Sequence, residues 1–102
     1  PTWMSPVQVK ILPISDKYNE YANKVAASLR EKSVRVETDF RAEKIGYKIR
    51  EAQLQKIPYM LILGEKEAQS GLISVRKADK GDLGSQTFDE FVTALKEEIK
   101  NR

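Results

Sequence analysis

Five consecutive apolar residues, Tyr59 to Leu63 (YMLIL), stand between Pro58 and Gly64. A strand with one face in water alternates apolar and polar residues, so an unbroken run this short reads as a strand covered on both faces. Covering both faces of a sheet in a chain of 102 residues calls for helices on each side. The preceding segment supplies one of them: in the run DFRAEKIGYKIREAQLQKIPYM, Asp39 to Met60, the residues Ile45, Ile49 and Ala52 repeat at helical spacing. Lys44, Lys48 and Arg50 lie around the rest of that helix, and Pro58 stops it. A strand ending at Asp39, a cationic helix and a buried strand therefore follow one another with almost no slack.

The rest of the chain continues the alternation. Val7 to Leu12 reads as a first strand, with Val7, Val9 and Ile11 alternating with Gln8 and Lys10. Ser15 or Asp16 can cap the next helix, where Tyr18, Tyr21, Ala22, Val25, Ala26 and Leu29 form one apolar stripe before Ser33 breaks it. Val34 to Thr38 is the second strand. Two strand–helix–strand units in succession imply parallel pairing with right-handed crossovers. Gly64 to Gly71 reads as a polar turn, after which Leu72 to Arg76 runs antiparallel, with a short last strand near Asp82 to Gln86. Thr87 and Glu90 have the spacing of a capping box, and Phe88, Phe91, Val92, Leu95 and Ile99 stripe the terminal helix. The expected fold is α/β: a five-stranded mixed sheet, its first three strands parallel and its edge antiparallel, flanked by three helices.

Composition bounds the chemistry. Apolar residues make up 40% and charged residues 32% of the chain, ordinary for a soluble domain. No apolar run approaches the roughly 20 residues that cross a bilayer, so no membrane role is expected. The absence of cysteine and histidine removes thiolate metal sites, the commonest metal ligand and the commonest general base, and fits a cytoplasmic protein. An opening Pro-Thr-Trp without initiator methionine suggests a piece of a longer protein. The first strand is followed by Leu12, Pro13, Ile14 and Ser15, with no glycine to let a pyrophosphate approach the backbone, which argues against a dinucleotide fold or a phosphate-binding P-loop. A receiver domain would place clustered acids at strand ends, where the third strand instead closes with Gly64. Glu65 and Glu67 fall in an exposed turn on either side of Lys66, where nothing would raise a carboxyl pKa. No catalytic residue and no metal site is expected.

Binding is the better expectation. The net charge of +3 is modest, but it is concentrated: Asp39 to Lys56 holds Arg41, Lys44, Lys48, Arg50 and Lys56 against Asp39, Glu43 and Glu51. Arg76, Lys77 and Lys80 form a second cluster after the fourth strand. Two cationic clusters flanking one sheet favour a polyanion. RNA recognition asks for cations that follow phosphates, forked or bidentate groups that read base edges, and aromatics that stack. Arg76 offers a guanidinium fork and Glu67 can accept both donors of a guanine edge. Tyr47 could stack on a base, but its place one turn into a helix fits packing better.

The segments PTWMSPVQVKILPIS, RAEKIGYKIREAQLQKIPYM and ISVRKADKGDLGS together resemble the C-terminal anticodon-binding domain of class II aminoacyl-tRNA synthetases, most closely that of the threonyl-tRNA synthetases, over essentially the whole chain. The resemblance implies a linker at residues 1–6 and an anticodon-binding domain at 7–102. It implies tRNA, specific for threonine and engaged through its anticodon loop, as partner. It also implies a separate catalytic domain that carries the ligase chemistry with ATP, magnesium and zinc, and a homodimeric parent. The family's base-reading positions correspond to Ala42, Lys56, Glu67 and Arg76. Ala42 stands where asparagine is usual, and Lys56 where arginine occurs. Arg41, Lys44, Lys48 and Lys77 are the expected phosphate-binding residues. The same fold resembles the C-terminal domain of a mitochondrial DNA polymerase accessory subunit, which makes a protein-interaction module the alternative reading.

Overall fold

The structure, a computed structural model, describes residues 5–78 and 80–100. The first four residues of the expected linker, the last two of the chain and Asp79 lie outside that description. Chain order gives strand β1 (Val9–Pro13), a single 3-10 turn (Asp16–Tyr18), helix α1 (Asn19–Glu31), β2 (Val36–Thr38), α2 (Ile45–Leu54), β3 (Tyr59–Leu63), α3 (Glu65–Ser70), β4 (Ile73–Lys77), β5 (Gly81–Gln86) and α4 (Phe88–Lys100). The strands form one sheet in the order β2-β1-β3-β4-β5. β1 pairs in parallel with β2 and with β3; β4 is antiparallel to β3, and β5 to β4. The expected mixed sheet is therefore the one formed. The flanking helices are four rather than three, because the segment after Gly64 is helical instead of a turn.

Two apolar clusters sandwich the sheet. On one face Val9, Ile11, Tyr59, Leu61, Leu63, Ile73 and Val75 pack against Ala22, Val25, Ala26 and Leu29 of α1 and Phe91 and Leu95 of α4. The Tyr59 and Phe91 rings meet edge to face, their centroids 5.4 Å apart. On the other face Leu12 and Met60 pack against Ala52 of α2, together with Ile57 and, half-buried, Val7, Ile45 and Ile49. β3 is covered on both sides, as its unbroken apolar run requires. β1 is too, which the alternating reading of Gln8 and Lys10 did not anticipate. Both polar residues are buried because α2 lies over β1. Each is satisfied there: the Lys10 ammonium donates to Glu37 at 2.9 Å, and Gln8 Oε1 accepts from the Arg35 amide at 2.9 Å.

Helix ends follow local chemistry. α1 and α2 close in the same way, each with a left-handed residue just past its end: Ser33 at φ 64° and Lys56 at φ 59°. After α2, the Ile57 amide donates to Ala52 O at 3.2 Å and the Lys56 amide to Gln53 O at 3.0 Å, the paired bonds of a Schellman motif. Thr87 and Glu90 make the expected capping box, with the Glu90 amide donating to Thr87 Oγ1 at 3.1 Å and the Thr87 amide to Glu90 Oε1 at 3.0 Å. These bonds hold the Glu90 carboxyl below its usual pKa.

Candidate nucleic-acid interface

α2 packs over β1 and reaches Met60 of β3, so the part of the same face formed by β4 and β5 lies beyond it. Strand alternation turns Ile62, Ser74 and Arg76 toward this uncovered part, on the side of Met60 and Leu12. None of the three is fully buried. Arg76 pairs across the sheet with Met60 on one side and Asp82 on the other, beside a bulge that places Leu83 out of register. Its Nε is buried with no hydrogen-bond partner among the described residues.

The other expected base readers surround this face at two ends. Lys56, exposed, follows the C-terminal end of α2 and precedes β3, on the side of the sheet where Arg76 faces Met60. Glu67 lies at the opposite end, in the first turn of α3. Its Oε1 accepts from the Gly64 amide at 2.7 Å, so the carboxylate closes α3 at its start while its position on the rim stays half-exposed. Gly64 is tightly enclosed: a Cβ there would come within 2.8 Å of Ile14 Cδ1 and 3.2 Å of Glu67 Oε1. Ile14 and Ala42 line a common cleft. Ala42 and Glu67 thus flank the C-terminal ends of β1 and β3, and Lys56 and Arg76 lie toward the far end of β3.

Three of the expected phosphate ligands are placed otherwise. Lys48 is only 4% exposed, and its ammonium donates to Pro13 O at 3.2 Å and Asp39 O at 3.0 Å. It ties the end of β1 to the chain leaving β2, and it cannot reach a phosphate on the surface. The reason is the sheet beneath it: helical position 48 faces two strand-end carbonyls that need donors. Arg41 is exposed but engaged, with its guanidinium 2.8 Å from Asp39 Oδ2 and 2.6 Å from Glu51 Oε1. The two carboxylates raise its pKa, and its hydrogen bonds lower those of Asp39 and Glu51 in return. One cation between two anions leaves the trio net negative. Lys77 falls on the opposite face from Arg76, since adjacent strand residues point to opposite sides; its ammonium is 5.5 Å from the centre of the Tyr59 ring and 3.6 Å from Glu98. Lys44, the residue before α2, is exposed and remains suited to a phosphate.

Tyr47 is the reverse case. Expected to pack, it is 51% exposed, with the Arg41 guanidinium 5.8 Å from its ring centre. Burial did not take it because the inward side of α2 is filled by Ile45, Lys48, Ile49 and Ala52. Among the described residues no cluster of acidic side chains could hold a metal ion, and no helix is long and apolar enough to cross a membrane.

A mixed α/β sheet with helices on both faces, part of one face left open and ringed by polar side chains, defines a binding domain of the open-sheet class. Within that class the assignment is direct: the chain belongs to the anticodon-binding domain family, whose description its residues 8–98 match. It is 60% identical over all 102 residues to the threonine–tRNA ligase of Clostridioides difficile (strain 630) and 58% identical to that of Clostridium tetani (strain Massachusetts / E88), spanning 16% of the length of each. Among solved structures it superposes with a TM-score of 0.90 on the RNA binding domain of threonyl-tRNA synthetase from Cryptosporidium parvum Iowa II. That match has 35% sequence identity and covers 95% of this chain and 24% of that one.

Proposed function

We propose that this chain is the tRNA-reading module of a threonine–tRNA ligase, gripping the anticodon loop so that a catalytic domain elsewhere in the parent can charge the tRNA. The observation that carries the reading is Arg76, a guanidinium on the less covered part of the sheet face, whose buried Nε has no hydrogen-bond partner among the described residues. Its fork and the Glu67 carboxylate would read base edges, because a bidentate or charge-assisted pair discriminates between bases whereas a lone point charge does not. Lys56 and Lys44 would meet phosphates and set the register. Ala42, on the rim of the cleft, has no polar atoms in its side chain, so a base there would be held by contact with the loop rather than by its own hydrogen bond. Glu67 and Arg76 lie at different ends of β3, so the loop would run along the sheet beside α2 with its bases splayed. ATP, magnesium and zinc would serve the catalytic part of the parent, which we place in the cytoplasm as a homodimer.

The test is a titration of the chain with the anticodon stem-loop of a threonine tRNA, at several salt concentrations, beside a stem-loop whose second anticodon base is changed. Affinity should fall with rising salt as counterions are released and should fall again for the altered anticodon. Equal affinity for the two stem-loops, or none for either, would refute the assignment.

A further inference from the structure

α3 (Glu65–Ser70) is less than two turns long and buries none of its residues, so no apolar stripe presses it against the sheet. A helix this short does not hold its shape in water, and its direction is set by what grips its two ends. At the start, Glu67 Oε1 accepts from the Gly64 amide at 2.7 Å, and the Ala68 amide donates to Gly64 O at 2.9 Å. At the end, the Gly71 amide donates to Glu67 O at 2.8 Å, with Gly71 in the left-handed conformation at φ 73°. All of these bonds lie within the segment itself. A tie from outside it comes from α1: the Tyr21 hydroxyl donates to Leu72 O at 2.8 Å, across 51 positions of chain. Tyr21 is half-buried and packs against the core on the α1 side of the sheet, so its ring is held while its hydroxyl reaches the chain directly after α3. Burial raises the Tyr21 pKa and the Glu67 carboxylate adds to the rise, which sets the phenol and the carboxylate within electrostatic reach of one another.

We propose that Tyr21 is a positioning residue for Glu67: its hydroxyl anchors the far end of α3 and so holds the Glu67 carboxylate at the angle needed to read a base. The inference rests on the proposed function, in which Glu67 reads a base edge, and adds to it a residue on another helix that acts without touching the RNA. Glu67 has two tasks. One oxygen is bound to the Gly64 amide and a base would meet the rest of the carboxylate, so a swing of α3 about its start moves the reading edge while the Gly64 bond survives. A charge-assisted pair discriminates between bases only when it is well aligned, and a reading group keeps its alignment only when its own supports are fixed. Gly71 supplies no stiffness at the far end, because glycine passes readily between conformations. Without the Tyr21 hydroxyl the Leu72 carbonyl turns to water, and the end of α3 is free to move with it.

The experiment measures the affinity of the wild-type chain, Tyr21→Phe, Glu67→Gln and the double variant for the threonine anticodon stem-loop and for the one whose second anticodon base is changed. Phenylalanine keeps the packed ring and removes only the hydroxyl, and thermal melts set a temperature at which every variant is folded. Tyr21→Phe should narrow the affinity ratio between the two stem-loops about fivefold, and in the Glu67→Gln background it should narrow the ratio no further. Hydrogen exchange at the Ala68 and Gly71 amides, which close α3, should quicken in Tyr21→Phe while that of β3 stays as it was; unchanged exchange there would mean that the hydroxyl does not hold α3. An equal loss of affinity for both stem-loops would make Tyr21 a support of the fold alone, and a ratio that is unchanged, or narrowed alike in both backgrounds, would also overturn the proposal. If Glu67→Gln itself keeps the wild-type ratio, Glu67 is no reader and this inference falls, while the anticodon-binding assignment stands on the wild-type ratio. If the wild type does not tell the two stem-loops apart, the assignment falls too.

Discussion

Replacing Lys56 by glycine should move stability and RNA affinity in opposite directions. Lys56 holds φ at 59°, a conformation that costs an L-residue roughly 1–2 kcal/mol and glycine almost nothing. Glycine also gives the unfolded chain more freedom, which takes back about 0.4–1 kcal/mol. The two Schellman bonds use backbone groups, so both survive the change, and the side chain is exposed. The net expectation is a gain of about 0.5–1 kcal/mol, which for a domain of this size raises Tm by about 2–8 °C. Loss of the ammonium removes one phosphate contact, so the slope of log affinity against log salt should shrink by about 0.7 for a single-stranded loop. Thermal melts and salt titrations of wild type, Lys56→Gly and Lys56→Asn measure both quantities. Asparagine tolerates the left-handed conformation and lacks the charge, so it should lose the same salt slope with a smaller change in Tm. A lower Tm for Lys56→Gly would show that the side chain stabilises the fold, and an unchanged salt slope would show that it touches no phosphate.

Three further outcomes follow from the network around the site. Glu67→Gln keeps an oxygen to accept from the Gly64 amide, so denaturation should change little, whereas discrimination at the second anticodon base should fall by about 1–3 kcal/mol; equal losses on cognate and altered stem-loops would remove Glu67 from the readers. Lys48→Met leaves the carbonyls of Pro13 and Asp39 unpartnered in a buried place and should cost about 2–4 kcal/mol in a urea titration, with each unmet group worth roughly 1–3 kcal/mol; a loss under 1 kcal/mol would contradict the ammonium's clamping role. The Arg41 guanidinium holds the Asp39 carboxyl below its ordinary value of 3.8. A folded pKa below the unfolded one means stability that is present above about pH 4 and is lost as pH falls through the folded value. Acid titration of Asp39→Asn should therefore show a shallower loss of stability below pH 4 than the wild type, and parallel curves would rule the pair out as a source of acid sensitivity.

Periodicity and punctuation determined the architecture. The unbroken run Tyr59–Leu63 could satisfy its apolar side chains only between two helical layers. The stripes of α1 and α4 and the Thr87–Glu90 box are local signals whose physics needs no distant partner, whereas α2 ends at Leu54, ahead of the stop expected at Pro58. Charge was another matter, because whether a lysine meets solvent depends on what the fold sets against it. Lys44 and Lys48 lie one helical turn apart and look alike in the chain, yet one is at the surface and the other is clamped beneath α2 by carbonyls from residues 13 and 39. Gln8 and Lys10 alternate with apolar residues along the chain, yet both are buried, because β1 lies between β2 and β3 with α2 above it. Ending the fourth strand at Arg76 hid the fact that Lys77 belongs to it and so faces the other way. The six residues of α3 carry no apolar stripe to reveal them, since their start is fixed by the Glu67 carboxylate on the Gly64 amide. Apolar patterning is read residue by residue against water, whereas the fate of a polar group is set by the few atoms that tertiary packing brings within 3 Å or so of it.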